Sequence, residues 1–237
     1  MINLNAPDTE RPIYRIHSCQ RFMSILSARE NGLRRPKMWE DPFENFILRA
    51  IVLHPDGTKA RIGYRDHLYG QCWSLHKETD LMWRAYSPNR VAVKLKTTIG
   101  ALLSSLYSQS GRYRDLSCFI GKVRYLPKKD IPKVFSEANI LDPSGRGIAA
   151  TLLVKRWAFR GEKEVRLIYF HNETPNIGDA YTYPIDPNAL FDEAVLDPRM
   201  NEDEAANWRS KIQSAGFRNH IFQSDLYKPP QQMFITM

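Results

Sequence analysis

The sequence predicts one domain of the α+β class, in which mixed and mostly antiparallel sheets are flanked by helices. Its 237 residues are enough for one large domain with a well-buried core. The hydrophobic content of 43% and the aromatic content of 11% are ordinary for a globular protein. Strand patterns and helical patterns alternate along the chain without an internal repeat. We therefore expect residues 1–237 to form a single domain, with an acidic segment and a helix at 171–237 packed on it.

The N-terminal part is predicted to contain a strand followed by a helix. Residues 12–17 have the sequence PIYRIH, which is typical of a strand, and Arg15 projects from it. Residues 19–30 show the helical spacing of apolar side chains. The pair Asn31-Gly32 that follows is a good C-terminal stop, so we expect the helix to end there.

A loop rich in aromatic and acidic residues follows at 38–44, with the sequence MWEDPFE. Two interpretations of this loop stay open at the level of sequence. In the first, Trp39 and Phe43 plug the core while Asp41 caps a turn. In the second, the loop contributes side chains to a functional site.

The middle of the chain is predicted to alternate between strands and helices. Residues 46–53 and 59–64 form a hairpin around a Pro-Asp-Gly turn. Ser74 lies on the next strand, just before a helix. The elements that follow the hairpin are a strand at 70–75, a helix at 79–86, a strand at 90–95, a helix at 98–107 and a strand at 118–126.

Basic residues are concentrated at 112–133, where they are interleaved with Tyr113, Phe119 and Tyr125. Basic residues beside aromatic rings suit single-stranded nucleic acid, because stacking of a base on a ring contributes roughly 1–3 kcal/mol. The alternative is a solvated basic face with ordinary core aromatics. The candidates for contacts with nucleic acid are Arg112, Arg114, Lys122, Arg124 and Lys128.

Two carboxylates stand near the start of an apolar run at 156–170, with the sequence RWAFRGEKEVRLIYF. Helices are predicted before it at 131–138 and 148–157. The two-residue period of a strand places Glu162 and Glu164 on the same face. Since burying an unpaired charge costs on the order of several kcal/mol, inward-facing carboxylates need a partner or a chemical task. The structural alternative is a solvated pair between Glu164 and Arg166 or a cross-strand base, which contributes about 0–1 kcal/mol.

The C-terminal part of the chain is acidic, whereas the rest is strongly basic. Residues 171–206 contain nine acidic residues and one basic residue, a net charge of −8. Because the whole chain carries +8, the remainder carries +16. Such a body attracts polyanions, of which nucleic acid is the commonest. The last predicted elements are a strand at 191–196, a helix at 201–215 with Asn201 as its N-cap, and a strand at 220–223.

Several kinds of site are not indicated. The chain has no GxGxxG after a strand, no GxxxxGK[ST] and no GxSxG. Its six histidines are scattered without the spacing of metal ligands, so we expect no metal. Its three cysteines are far apart and fit a reducing compartment better than a disulfide scaffold. With no signal-peptide pattern and no apolar run of membrane-spanning length, we expect a cytoplasmic protein without a membrane partner.

Arg15, Ser74 and the E-x-E of Glu162 and Glu164 form an ordered pattern. It resembles the active site of ADP-ribosyltransferases of the Arg-Ser-Glu type. The strand, helix and strand at 70–95 are also similar to the NAD-binding core of these enzymes. Separately, the motifs WEDPFE, MW..Y, E.E.R and SDLY resemble a bacterial domain family of unknown function marked by NDPFE, MW..Y, E.E.R and S.LY, over nearly the whole chain.

The first resemblance implies an ADP-ribosyltransferase-like fold with NAD as substrate. It implies mono-ADP-ribosylation of nucleic acid, RNA or DNA, in preference to a protein side chain, by a toxin or phage-defence effector. Whether an antitoxin protein is a partner stays open. Glu164 would hold the ribose 2′-hydroxyl and stabilise an oxocarbenium-like state, and Glu162 would orient or deprotonate the incoming nucleophile. The residues implied in NAD binding are Arg15 for a phosphate, Ser74 for the nicotinamide ribose, and Trp83, Tyr86 or Trp39 for stacking.

Two functions of other kinds stay open. The first is a metal-dependent nuclease with a carboxylate cluster of Asp41, Glu44, Glu162 and Glu164. Cleavage that depends on magnesium and not on NAD would select it. The second is a non-enzymatic nucleic-acid-binding module, whose function would survive Glu164→Gln and would be lost on charge reversal within the basic segment.

Overall fold

The computed structural model describes residues 2–44, 47–53, 56–61, 63–112, 114–137, 139, 142–171 and 178–230. Within these residues the chain forms fourteen strands and eight α-helices. The strands are β1 (Ile2–Leu4), β2 (Pro12–Ser18), β3 (Glu30–Arg34), β4 (Ile51–Leu53), β5 (Lys59–Arg61), β6 (Leu68–Ser74), β7 (Ala92–Thr98), β8 (Cys118–Lys122), β9 (Arg124–Leu126), β10 (Val154–Arg156), β11 (Glu164–Phe170), β12 (Ala180–Pro184), β13 (Glu193–Leu196) and β14 (His220–Gln223).

The helices are short and lie between the strands. They are α1 (Cys19–Ala28), α2 (Asp80–Tyr86), α3 (Ile99–Tyr107), α4 (Arg114–Ser117), α5 (Ile131–Glu137), α6 (Arg146–Thr151), α7 (Pro187–Leu190) and α8 (Glu202–Ser214). The described residues also include 3₁₀ helices at Pro36–Met38, Ile47–Arg49, Gly63–Asp66 and Trp157–Glu162. No described helix has the length and apolar character needed to cross a bilayer.

Ten of the described strands form one mixed sheet, in the order β1-β8-β11-β6-β2-β7-β13-β14, with β3 and β12 branching from β6. The pairs β1–β8 and β13–β14 are parallel, and the other pairs of this sheet are antiparallel. The smaller pairs β4–β5 and β9–β10 stand apart from it. The predicted α+β class with a mostly antiparallel sheet is therefore confirmed.

The sheet forks at β6, and this fork positions the site. One edge of β6 pairs with β11 along its whole length. The other edge meets β2 only at Tyr14↔Ser74 and meets β3 only at Arg34↔Gly70. Because the two strands contact opposite ends of the same edge, a gap opens between them in the middle of β6.

The two faces of β11 explain why charge can be buried on it. Val165 and Leu167 face the main core, which includes α1, α3 and α8. Ile168 faces a smaller apolar cluster with α6. Side chains alternate along a strand, so Glu164 and Arg166 lie on the α6 side, where the apolar packing is thinner.

Several predicted elements are confirmed. The strand at 12–17 corresponds to β2 and the helix at 98–107 to α3. The hairpin is confirmed only as the shorter antiparallel pair β4–β5, because residues 47–49 and 63–66 of the predicted strands lie in 3₁₀ helices. Phe46 and the turn residues His54 and Pro55 of that predicted hairpin lie outside the described residues. The predicted cap is also confirmed, because the side chain of Asn201 accepts a hydrogen bond from the N–H of Glu204 at 2.8 Å.

Other predicted elements are wrong. The helix at 148–157 ends at Thr151, and β10 takes up its second half. The Asn31-Gly32 pair does not follow a helix but lies inside β3. The helix ends earlier, at Ala28, and its C-cap residue Arg29 adopts a left-handed conformation with φ of 53°. The acidic segment supplies β12 and β13 to the sheet itself.

Candidate active site

A pocket of about 140 Å³ lies in the fork of the sheet, between β2, β6, α2 and the start of β11. Its wall contains five side chains that the sequence singled out, although the chain separates the first from the last by almost 150 residues. They are Arg15, Ser74, Tyr86, Glu162 and Glu164.

Strand register places three residues of this region side by side. Glu164 on β11 lies opposite Ser74 on β6, and Ser74 lies opposite Tyr14 on β2. The Oγ of Ser74 donates a hydrogen bond to the backbone carbonyl of Glu162 at 2.7 Å and accepts one from the N–H of His76 at 3.0 Å. Ser74 therefore fixes the backbone that carries Glu162.

The expectation that Glu162 and Glu164 share a strand face is wrong. Glu162 is the last residue of the 3₁₀ helix Trp157–Glu162, and β11 begins only at Glu164. Lys163 between them has a left-handed conformation with φ of 44°, which breaks the two-residue period. The two carboxylates come together because both reach the ammonium group of Lys155.

Lys155 is the centre of a group of buried charges that we call the carboxylate cluster, formed by Glu44, Lys155, Glu162, Glu164 and Arg166. The Nζ of Lys155 lies 2.5 Å from Glu162, 2.9 Å from Glu44 and 3.0 Å from Glu164. The Nη2 of Arg166 lies 2.6 Å from Glu164 and 2.8 Å from Glu44. Three carboxylates thus share two cations, and only Glu162 keeps a substantial exposed fraction, 23% of its side chain.

The two carboxylates of the cluster that line the pocket, Glu162 and Glu164, differ in pKa. Burial, and then the neighbouring Glu164 carboxylate, raise the pKa of Glu162 to about 7, although Lys155 opposes this. Burial acts to raise the pKa of Glu164 as well, but Arg166 and Lys155 hold this pKa well below its ordinary value. At neutral pH the pocket therefore contains one permanent carboxylate and one that exchanges its proton.

Two of the predicted stacking residues do not line the pocket. Trp83 is fully buried, and its indole N–H donates to Glu78 at 2.7 Å. Trp39 lies against Gly70, with its ring 4.5 Å from the guanidinium of Arg166. The 38–44 loop thus plugs the molecule behind the site. Asp41 also caps a turn as the first interpretation expected, because it accepts from the N–H of Phe43 at 3.0 Å.

Tyr86 is the stacking candidate that reaches solvent. It ends α2, its exposed fraction is 48%, and it borders the pocket. A second cavity of about 220 Å³ lies on the other side of Tyr86 and Glu162, where Leu81 and Phe159 contribute to its wall. Two cavities therefore meet at Glu162, the carboxylate with the raised pKa.

Arg15 reaches the pocket from β2 without a partner of its own. Its Nη1 is buried and makes no hydrogen bond. Burial is the main cause that lowers the pKa of Arg15, to about 10. A buried donor with an unmet hydrogen bond costs about 1–3 kcal/mol, so the protein carries an unfavourable contribution to its stability at this pocket.

The predicted nucleic-acid contacts are solvent-exposed, but neither of the two described aromatic side chains among them is a free stacking platform. Arg112, Arg114, Lys122, Arg124 and Lys128 are all exposed. Phe119 is fully buried, and the hydroxyl of Tyr125 accepts from the N–H of Glu164 at 2.8 Å. Tyr113 lies outside the described residues. Exposed aromatic surface occurs instead at Trp157, whose exposed fraction is 54%.

Sequence reasoning missed Lys155 as a site residue and placed Glu44 only in the nuclease hypothesis. The pairing of Glu164 with Arg166 was anticipated, although the pair is buried and not solvated as expected. A strand assignment at 154–156 would have provided the signal for Lys155, because alternation then turns it away from its neighbours Val154 and Arg156.

The carboxylates of the nuclease hypothesis already have cations within the protein. Glu44, Glu162 and Glu164 face Lys155 or Arg166, and Asp41 lies 3.0 Å from Arg156. Among the described residues no group of three or more histidine, cysteine or acidic side chains is arranged to hold a metal ion. An added cation would have to displace an ammonium or a guanidinium group, which is electrostatically unfavourable.

No family model matches the sequence, and no curated protein matches it. Among solved structures, the chain is similar to DarT of Thermus sp. 2.9. The complex with carba-NAD+ gives a TM-score of 0.41 at 13% identity, over 92% of this chain and 97% of DarT. The complexes with NAD+ and with ADP-ribosylated ssDNA each give 0.43 at 12% identity, over 92% of this chain and 98% or 95% of DarT.

Proposed function

We propose that this protein is an NAD-dependent mono-ADP-ribosyltransferase that modifies nucleic acid. One observation carries the proposal: Arg15, Ser74, Tyr86 and the two glutamates of the E-x-E motif line the same pocket. These are the residues of the Arg-Ser-Glu pattern together with an accessible aromatic ring. An active site needs these residues close together, and the order of the motifs in the sequence does not guarantee that. Their common position in the wall of one pocket therefore supports the proposal.

The size of the pocket suits one end of the dinucleotide. A cavity of roughly 150 Å³ holds a benzene-sized ring, and this one measures about 140 Å³. The nicotinamide ring would enter it beside Tyr86. The ribose would then lie near Ser74 and Glu164, which are opposite one another in the β6–β11 pair.

The charges of the two glutamates fit the two parts of the reaction. The bond from the ribose to nicotinamide breaks through an oxocarbenium-like state, and nicotinamide leaves with the electron pair of that bond. Glu164, held ionised by Arg166 and Lys155, would stabilise the positive charge that develops on the ribose. Glu162 would accept the proton of the attacking N–H or O–H group, for which a pKa of about 7 is suitable.

The position of Glu162 also suggests where the acceptor approaches. The cavity on its other side is bordered by Phe159 and Leu81, and Trp157 is exposed at the start of the same 3₁₀ helix. The guanidinium of Arg160 lies 5.0 Å from the ring of Trp157. Exposed rings with adjacent guanidinium groups suit unpaired bases, which favours nucleic acid as acceptor. A toxin or phage-defence role and an antitoxin partner remain predictions.

The test is incubation of the purified protein with labelled NAD and separate pools of RNA, single-stranded DNA and cell protein. We expect label in a nucleic-acid pool, and a loss of at least about 10²-fold in Glu164→Gln and in Glu162→Gln. Glu40→Gln, in the exposed part of the 38–44 loop, is the matched control and should transfer label normally. Folded protein that neither transfers label nor releases nicotinamide would refute the proposal.

A further inference from the structure

Helix α2 contributes side chains to both cavities of the candidate active site. Met82 and Tyr86 line the pocket in the fork and also the cavity on the other side of Glu162. Tyr86 is the last residue of this helix, so the position of its ring depends on where the C-terminal end of α2 lies. The placement of this end therefore determines the shape of the wall that the two cavities share.

The helix has little means of its own to hold that placement. It contains seven residues, and isolated helices shorter than about 12 residues are marginal in water. Met82 and Trp83 pack in a small apolar cluster with Ile16 and Ala92. The last carbonyl groups of a helix also lack partners within it. The C-terminal end of α2 therefore needs hydrogen-bond donors from another part of the chain.

Arg199, in the loop between β13 and α8, provides these donors. Its Nη2 donates to the carbonyl of Trp83 at 2.9 Å and to the carbonyl of Ser87 at 2.8 Å. A cation at this end also interacts favourably with the helix dipole. Since only 15% of the Arg199 side chain is exposed, water competes little for these bonds.

Asp197 fixes both sides of this contact. Its carboxylate accepts from the Nε and Nη2 of Arg199 at 2.9 Å and 2.7 Å, and from the Oγ of Ser87 at 2.5 Å. The side chain of Asp197 is fully buried, and its N–H donates to the carbonyl of Ala92 on β7 at 3.0 Å. Ser87, the residue that follows Tyr86, is thus held through its hydroxyl and its carbonyl by one ion pair.

We propose that Asp197 and Arg199 are positioning residues of the active site, which hold Tyr86 in the pocket wall through the C-terminal end of α2. Neither of them is among the described residues that line the pocket. Their effect on the reaction rests on the proposed function, whereas the fixing of α2 rests on their own contacts. A segment that precedes α8 thereby controls a wall formed more than a hundred residues earlier in the chain.

Two mild substitutions break this contact without removing the buried ion pair. Arg199→Lys keeps a positive charge beside Asp197, but an ammonium group lacks the planar fork that reaches both carboxylate oxygens and both carbonyls. Ser87→Ala leaves Arg199 and Asp197 in place and removes the bond between the hydroxyl and the carboxylate. Arg218→Gln, at an exposed arginine in the loop before β14, is the control.

The first experiment measures the fixing of α2 without catalysis, by amide hydrogen exchange of the full chain. We expect the amides of α2 to exchange about tenfold faster in Arg199→Lys and in Ser87→Ala, whereas those of α1 and α3 keep their wild-type rates. Arg218→Gln should leave all three helices unchanged. Wild-type exchange in α2, or an equal loss of protection in the three helices, would overturn the inference.

The second experiment measures the consequence for the site, with NAD as varied substrate. Arg199→Lys and Ser87→Ala should raise KM about fivefold at nearly unchanged kcat, because a displaced Tyr86 weakens binding of the nicotinamide end before the bond breaks. A smaller folded fraction would instead lower the apparent kcat at unchanged KM. In a Tyr86→Ala background, Arg199→Lys should change KM by less than about twofold, since its effect acts through that ring.

The outcomes separate this inference from the proposed function. An unchanged KM in both variants, or an effect of Arg199→Lys that is fully retained in the Tyr86→Ala background, would overturn the inference while transfer by the wild type keeps the function. Selective loosening of α2 in a protein whose wild type does not turn over NAD would overturn the function and keep the fixing of α2 by Asp197 and Arg199.

Discussion

The carboxylate cluster and Arg15 border the same pocket, but their charges are compensated in opposite ways. In the carboxylate cluster Lys155 and Arg166 each contact at least two acidic side chains at 2.5–3.0 Å. Arg15 makes no ion pair among the described residues, and its buried Nη1 has no hydrogen-bond partner. The charges of the carboxylate cluster are compensated within the protein, whereas the Nη1 of Arg15 keeps an unmet donor.

This difference has a consequence for stability. A buried ion pair is close to neutral in its net contribution, but it becomes costly when one partner is removed. A buried charge that already lacks a partner has little to lose when it is replaced by an apolar group of similar size. Substitutions at Arg166 and at Arg15 should therefore have effects of different sizes on the free energy of unfolding.

The largest effect is expected at Arg166. Arg166→Met leaves Glu44 and Glu164 with Lys155 as their remaining cation and also removes a hydrogen bond of 2.7 Å to the carbonyl of Leu152. Since it removes one side of a buried network, we expect a loss of about 3–5 kcal/mol in the free energy of unfolding. Urea denaturation followed by circular dichroism measures it. A loss below about 1 kcal/mol would mean that the network contributes little to the fold.

The next effect concerns pH and Glu162. Its pKa is raised from an ordinary value of 4.5 to about 7 in the folded protein. Below the ordinary value both states hold the proton, and between the two values only the folded state holds it, so this group makes stability fall as pH rises through that window. Glu162→Gln removes this contribution. The stability of the variant relative to wild type should therefore increase between pH 5 and pH 8, and subtraction of the two curves cancels the histidines.

The transfer activity should also depend on the protonation of Glu162. It should rise with pH, whereas the contribution of Glu162 to stability falls. Because the ionised form of Glu162 would accept the proton, the transfer rate of the wild type should rise with pH through about 7. The residual activity of Glu162→Gln should not show this rise with pH. A wild-type profile that is flat from pH 6 to pH 8 would remove Glu162 from the role of base.

Several local elements and several residues of the pocket could be predicted from the sequence. The pairing of the charged residues could not. Periodicity located β2 and α3, and the ordered motifs singled out Arg15, Ser74 and Glu164 before their meeting was visible. The run IAATLLVKRW has no period that separates a helix from a strand, so Lys155 was assigned to the wrong element. The contact between Glu44 and Arg166 spans 122 residues, and no local pattern encodes it.

At two further points the predictions from periodicity are wrong because a residue adopts a left-handed backbone conformation. The left-handed Lys163 moved Glu162 off the strand, and the left-handed Arg29 allowed β3 to begin directly after α1. Neither residue is glycine or asparagine, which are the usual signals for this conformation. The fork of the sheet is a tertiary feature in which two strands share one edge of β6, and strand-by-strand reasoning does not provide it.

A smaller effect on stability tests whether Trp39 stabilises the carboxylate cluster through the packing of its ring on Arg166. A Cβ at position 70 would lie 2.6 Å from the Cζ2 of Trp39, so Gly70→Ala must displace the ring that stacks on Arg166. We expect a loss of about 1–3 kcal/mol in stability. Gly63→Ala is the matched control, because a Cβ there meets nothing within 4 Å. Equal effects of the two substitutions would show that the contact between Trp39 and Arg166 carries no stability.

The smallest effect on stability is expected at Arg15, and it tests the contrast between Arg15 and the carboxylate cluster directly. Arg15→Met removes a guanidinium group whose Nη1 has no partner, and it relieves repulsion from Arg21 and Arg34. The free energy of unfolding without ligand should therefore change by less than about 1 kcal/mol, in contrast to the same replacement at Arg166. Under the proposed function Arg15 contacts a phosphate of NAD, so pyrophosphate should raise the melting temperature of the wild type, because a ligand that binds only the folded state stabilises it. The variant should lose most of this increase. If Arg15→Met instead destabilises the free protein as strongly as Arg166→Met, Arg15 contributes to the fold and the contrast between Arg15 and the carboxylate cluster is wrong.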